Sequence, residues 1–156
     1  MPRIVPHERG EDGTAFAIRR ICDEDEETVA ELWHACGLVR SWNDPHGDIG
    51  RARANASSEI FVAVAQDSGG IAGSIMAGND GHRGWVYFVA VTQEHRLQGL
   101  GERLIRHAEA WLHRLGARRV NLTIREENAA ARRFYEGLGY AIEKRIVMSR
   151  WTGEGG

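Results

Sequence analysis

His95–Gly101 reads HRLQGLG and lies between an apolar run, Trp85–Val91 (WVYFVAV), and a long stretch of helical spacing. Two glycines two apart ahead of a helix mark a turn able to hold an anion. The backbone approaches closely where no Cβ intervenes, and the first N–H groups of a helix lack an intrahelical acceptor. Several nucleotide and cofactor loops use glycine in this way, and the surrounding residues decide among them.

A dinucleotide fingerprint places a third glycine three residues after the second and an acidic residue about twenty residues on. Leu104 occupies the first of those places, and Glu126 falls later, past the next strand. A Walker loop needs Gly-Lys-Ser/Thr, whereas Gly101 is followed by Glu102 and Arg103. What remains is Arg96-x-x-Gly99-x-Gly101 leading into a helix. It can direct the N–H groups of Gln98, Gly99, Leu100, Gly101 and Glu102 at a pyrophosphate. On its own the loop fits an ordinary glycine turn equally well.

Outward from the loop, Leu100, Leu104, Ile105, Ala108, Trp111, Leu112 and Leu115 form one apolar helical stripe, ended by Gly116. Trp85–Val91 is apolar on both faces, as a strand inside a covered sheet is. Val120–Ile124 predicts a strand parallel to it, since a helix lies between. Upstream, Phe16–Ile21 reads as a strand. Asp23 is an N-cap for a helix with Val29, Leu32, Trp33 and Cys36 on one face. Arg40–Asp48 is a polar turn region, a short helix runs through Ala56, and Ile60–Ala65 and Ile71–Ala77 form a hairpin. Downstream, Asn128 caps a helix bearing Ala131, Phe134, Tyr135 and Leu138, and Tyr140–Arg150 supplies one or two edge strands. Hairpins first and one βαβ unit after is not the alternation of a doubly wound fold.

The totals fit one globular domain: 156 residues, 42% apolar, 27% charged and a net charge of −2. That balance gives no global attraction to nucleic acid or anionic membrane. Lys144 is the only lysine among 20 basic residues, a bias that points to genome composition and not to function. No run of about 18 apolar residues is present for a membrane span. Cys22 and Cys36 lack CxxC spacing and read as reduced thiols of a cytoplasmic protein. Residues 1–14 are expected to be a flexible extension, 15–151 one domain and 152–156 a flexible tail. His107 and His113 are not spaced as metal ligands, so no metal is expected.

QEHRLQGLGERLIRHAEAWL, followed by NLTIREENAAARRFYEGLGY, resembles the GNAT N-acetyltransferases. Arg96, Gly99 and Gly101 match that family's coenzyme A loop, and Asn128, Ala131, Tyr135 and Gly139 match its second conserved segment. WNDP (Trp42–Pro45) and DGHRG (Asp80–Gly84) are similar to the small bacterial YpeA-type acetyltransferases in particular. The resemblance implies an α/β GNAT fold: a mixed sheet of about six to seven strands with a V-shaped splay between two parallel strands, flanked by about four helices.

The same resemblance implies acetyl-CoA as donor and a primary amine as acceptor, in a monomer or homodimer. Backbone groups of Val89, Ala90 and Val91 would receive the pantetheine arm. Arg96, Leu97, Gln98, Gly99, Leu100, Gly101 and Glu102 would hold the pyrophosphate, with Asn128 and Ala131 also on the cofactor. Tyr135 matches the family's general acid, although beside Phe134 it also reads as core. A phenol with pKa near 10 can donate to a departing thiolate at neutral pH. Arg132 and Arg133 could reach a phosphate or simply face solvent.

The general base departs from the family pattern. Many members carry a glutamate on one of the splayed strands, but neither Trp85–Val91 nor Arg119–Ile124 contains a carboxylate, and Thr123 stands in its place. Glu126, His82 and Asp80 are the candidates for a base acting through water, with Asp44 behind them. Trp42, Asp44 and Asp48 are candidates for the acceptor site, where acidity suits a cationic amine; the same residues also make a helix-capping turn. The acceptor is a small-molecule or peptide amine. Two rival readings stay open, a non-catalytic acyl-CoA sensor and a nucleotide-binding interaction domain.

Overall fold

The computed structural model describes residues 16–153. The expected extension over 1–14 and the last three residues of the expected tail lie outside the described residues. Described elements follow as β1 (Phe16–Arg20), α1 (Glu26–Ala35), α2 (Pro45–Ala54), β2 (Ser58–Ala65), β3 (Ile71–Asn79), β4 (Gly84–Val91), α3 (Leu100–Arg114), β5 (Val120–Asn121) and α4 (Ala129–Gly137). The chain forms two compact units, Met1–Leu122 with the sheet and α1–α3, and Thr123–Gly156 with α4.

The sheet order is β1-β2-β3-β4-β5. Neighbours run antiparallel except β4 and β5, which are parallel as the intervening helix requires. Successive residues of a strand face opposite sides, and β3 shows what covers each. Ser74 accepts a 2.9 Å hydrogen bond from Nε1 of Trp33 on α1. A Cβ on the preceding residue, Gly73, would meet Leu104 and Leu100 of α3. So α1 lies on one face and α3 on the other. Trp33 and Ile49 anchor the first layer, and Leu100, Leu104, Ile105, Ala108 and Leu112 the second, all essentially inaccessible to solvent. The spacing of the α3 stripe therefore predicts its buried face, apart from Leu115. That residue follows the last helical turn and is 42% exposed.

Four expectations are corrected. The described residues contain five strands, not six to seven. Val120–Ile124 shortens to the two residues that find partners, Val120 on Gly84 and Asn121 on Trp85. Tyr140–Arg150 forms no regular strand, because strand geometry needs a paired neighbour and this segment has no ladder. Lastly, Asp23 does not cap α1. It opens a single 3-10 turn, Asp23–Asp25, and Asp25 stands at the N-cap.

Asp25 is committed elsewhere, which explains the shift. Its carboxylate takes a two-pronged contact from Arg19, at 2.5 and 3.0 Å, and the Cys22 N–H at 2.9 Å. Burial would raise its pKa, but the Arg19 and Cys22 hydrogen bonds outweigh burial and hold it at about 2. A carboxyl depressed in the folded state stabilises above its unfolded pKa near 4 and loses that contribution as pH falls through about 2. The expected contribution at neutral pH is about 2 kcal/mol. Urea unfolding of the native chain against Asp25→Asn checks it: the variant is less stable at pH 7, and the difference shrinks toward pH 2.

Candidate functional site

The glycine loop begins where β4 ends. The Thr92 N–H bonds the Ala72 carbonyl at 2.8 Å, so by alternation the polar groups of Val91, and of Val89 before it, face away from β3. A 3-10 turn over Gln93–His95 follows, braced by Thr92 Oγ1 and His95 Nδ1 at 2.7 Å. Leu97 (φ 62) and Gly99 (φ 76) then adopt left-handed conformations, and α3 starts at Leu100. The first inward hydrogen bond of that helix is Arg103 N–H to the Gly99 carbonyl, 3.1 Å. The N–H groups of Gln98, Gly99, Leu100, Gly101 and Glu102 have no acceptor among the described residues. A run of unpaired N–H groups with alternating backbone hand at a helix start is an anion nest.

Leu97 has its side chain fully in solvent while its backbone is left-handed. Neither packing nor steric preference places a leucine there, so the demand comes from the loop's shape. Arg96 folds back, its Nε 3.3 Å from the Val91 carbonyl and its Nη2 3.8 Å from Cys36 Sγ.

β4 itself is irregular. Met76 of β3 faces Tyr87 and Ser74 faces Ala90, so Phe88 and Val89 together oppose Ile75. That is a β-bulge, and Phe88 within it sits at φ 50. A left-handed phenylalanine costs about 1–3 kcal/mol and persists only where its surroundings fix it. The parallel ladder with β5 covers Gly84 and Trp85 alone. The C-terminal half of β4 is thus bent and unaccompanied on the β5 side within its unit.

Asp80 and His82 lie in the tight turn between β3 and β4. One Asp80 oxygen accepts the N–H groups of His82 (2.8 Å) and Arg83 (2.7 Å), and the other takes Trp85 Nε1 at 3.2 Å. These backbone bonds, above all that of Arg83, lower its pKa. His82 is exposed. Trp42 is 55% exposed between α1 and α2. Asp44 is at the N-cap of α2 but makes no side-chain cap bond, and Asp48 is paired with Arg51 at 2.6 Å. No group of His, Cys, Asp and Glu able to hold a metal occurs among the described residues. No described helix is long and apolar enough to cross a membrane.

In the second unit Asn128 caps α4 as its position predicts: Oδ1 accepts the Ala131 N–H at 3.0 Å. Tyr135 lies on the same helix between the rings of Phe134 and Tyr140, at centroid distances of 5.0 and 5.8 Å. Burial pushes its phenol up to about 12. Glu126 is exposed just before the helix. Sequence reasoning missed the left-handed Phe88 within the bent strand, and Trp33 and Cys36 as that strand's neighbours. Helical spacing put Trp33 and Cys36 on one apolar face, and nothing in a phenylalanine announces a left-handed backbone.

The acetyltransferase (GNAT) family model matches residues 18–140. An acetyltransferase of Yersinia enterocolitica is 40% identical over 133 residues, 85% of this chain and 93% of its own. One from Pectobacterium atrosepticum is 38% identical over 139 residues, 85% and 97% of the two chains. Among solved structures, the aminoglycoside N-acetyltransferase AAC(6')-Iy in complex with CoA superposes with a TM-score of 0.76 at 19% identity, covering 90% of this chain and 97% of that one. Glucosamine-6-phosphate N-acetyltransferase from Arabidopsis thaliana gives 0.65 at 23% identity, covering 88% and 99%. The chain belongs to the GNAT acetyltransferase family, and its fold is that family's fold. Its class of reaction is acetyl transfer.

Proposed function

We propose that the chain transfers acetyl from acetyl-CoA to a primary amine, on a small molecule or a peptide N-terminus, by direct attack in a ternary complex. The observation that carries this reading is the nest: N–H groups from Gln98 to Glu102 with no acceptor among the described residues, following a strand that is bent and, within its unit, unaccompanied on the β5 side of its end. A pyrophosphate is the anion such a nest fits, and Arg96 beside it adds positive charge. CoA binding by a structural neighbour, and amine acetylation by two of them, are consistent with it.

The Val89–Val91 stretch would receive the pantetheine arm through the backbone groups on the side of β4 away from β3, as an added strand is received at a sheet edge. The same N–H groups suit the oxygen of the thioester carbonyl as it gains charge. Asn128 and Ala131 would sit on the arm from α4. Attack needs a neutral amine, so a proton must leave first. Asp80 is the weakest base of the candidates, being hydrogen-bonded through both oxygens and lowered in pKa. Glu126 and His82 are the better ones, each through a water. As the carbon–sulfur bond breaks, the Tyr135 hydroxyl gives its proton to the leaving thiolate. Trp42 and Asp44 would meet the amine; Asp48 is already neutralised by Arg51.

Calorimetry with acetyl-CoA, NAD and ATP, joined to a thiol-release assay over polyamines, amino acids, aminoglycosides and peptides, tests the reading. Saturable acetyl-CoA binding with thiol release on at least one amine is expected. Binding with no release over the whole panel would favour the acyl-CoA sensor, and a preference for NAD or ATP would sink the assignment. The loop can be tested separately. Gly99→Val forces a β-branched residue to φ 76, at a cost of about 1–2 kcal/mol. If the loop straightens to avoid that cost, acetyl-CoA affinity drops by about tenfold or more.

A further inference from the structure

Phe88 is held left-handed in the middle of a strand, and what holds it lies on α1. The Trp33 indole stacks flat against the Phe88 ring, with centroids 4.1 Å apart and planes 9° from parallel. Trp33 is completely buried, and its Nε1–H donates at 2.9 Å to Ser74 Oγ, buried as fully. Ser74 stands opposite Ala90, where pairing resumes after the bulge. One side chain therefore spans the irregularity, its face on the displaced residue and its N–H on the partner of the next paired one. One turn further along α1, Cys36 Sγ comes within 3.5 Å of the Val91 carbonyl. A purely apolar filler would cover the same surface without needing a buried acceptor. The hydrogen bond adds a fixed rotation of the indole plane, and the stacked phenylalanine follows that plane.

We propose that Trp33 and Ser74 are positioning residues for acetyl transfer. They lock Phe88 in its left-handed conformation and thereby aim the Val89–Val91 backbone at the thioester. This rests on the reading that β4 receives acetyl-CoA. Misplacement by about 1 Å at a reacting centre can cost about a hundredfold in rate, so a brace distant from the chemistry has a large lever.

The test uses the full chain with Phe88→Leu, which removes the ring, and Ser74→Ala, which leaves the indole free to turn. Phe88→Tyr keeps the ring and serves as the conservative variant. Turnover, KM for acetyl-CoA, calorimetric affinity for free CoA and the folded fraction are measured for each. Phe88→Leu and Ser74→Ala are expected to lower kcat about 10–100-fold per folded molecule. CoA affinity stays near that of the parent, because the pyrophosphate nest is intact, and Phe88→Tyr recovers most of the rate. Variants that lose thermal stability but keep the parent kcat overturn the proposal alone. Failure of the unmodified chain to bind acetyl-CoA overturns the reading of the site, and the brace with it.

Discussion

Tyr135→Phe is expected to lower kcat by about 10²–10⁴-fold, the range that general acid catalysis supplies, with acetyl-CoA affinity little changed. The substitution removes one oxygen and keeps the ring between Phe134 and Tyr140, so α4 should fold as before. The predicted pH behaviour is more diagnostic than the size of the loss. Burial pushes the phenol up to about 12, so the hydroxyl keeps its proton throughout the neutral and mildly alkaline range. The rising limb of the rate profile then belongs to the amine and its base. Tyr135→Phe should scale that profile down at every pH without moving the limb. An acyl donor with a more acidic thiol needs less help in leaving, so it should narrow the gap between the two proteins. Unchanged turnover of a genuine amine substrate would return Tyr135 to a packing role.

The glycine loop was legible because glycine declares its backbone. Gly116 is left-handed at the helix end that it was expected to cap, and Gly99 is left-handed within the loop that the glycines marked. Leu97 and Phe88 are left-handed too, and side chains of ordinary strand and helix preference conceal it. The bulge is a property of register between β3 and β4, so no window of one strand contains it. Strand ends failed for a related reason. Val120–Ile124 has uniform β character, but only two residues find partners, because length is set by the neighbour and not by propensity. At α1, Asp23 and Asp25 are equivalent caps by type; Asp25 holds the N-cap position without a side-chain cap bond, its carboxylate taken by Arg19 of β1, which helix signals do not see. The base stayed open because a carboxylate's basicity depends on what reaches it through space. Asp80 shows this, with its charge committed to N–H groups of its own turn.

Gly73→Val is expected to cost about 2–3 kcal/mol of stability, as overpacking does, and to weaken acetyl-CoA binding as well. Glycine inside a strand is worth about 0.5–1 kcal/mol less than alanine, so its presence in β3 calls for a steric reason. A Cβ there would stand 2.8 Å from the Ala90 carbonyl oxygen, 3.0 Å from Leu104 Cδ1 and 3.5 Å from Leu100 Cδ2. The first is backbone of β4 just past the bulge; the other two belong to the opening turns of α3, whose start forms the nest. A side chain at 73 therefore pushes apart the two elements that the proposed cofactor must touch together. The two neighbours differ in how they can yield: Leu104 can turn its side chain, whereas the Ala90 carbonyl moves only with its strand. Leu104→Ala placed in the Gly73→Val background should then recover part of the stability and little of the affinity. Denaturant unfolding and calorimetry on the four proteins of that cycle separate the two effects. Recovery of both together would place the strain on α3 alone and leave the alignment of β4 untouched by Gly73.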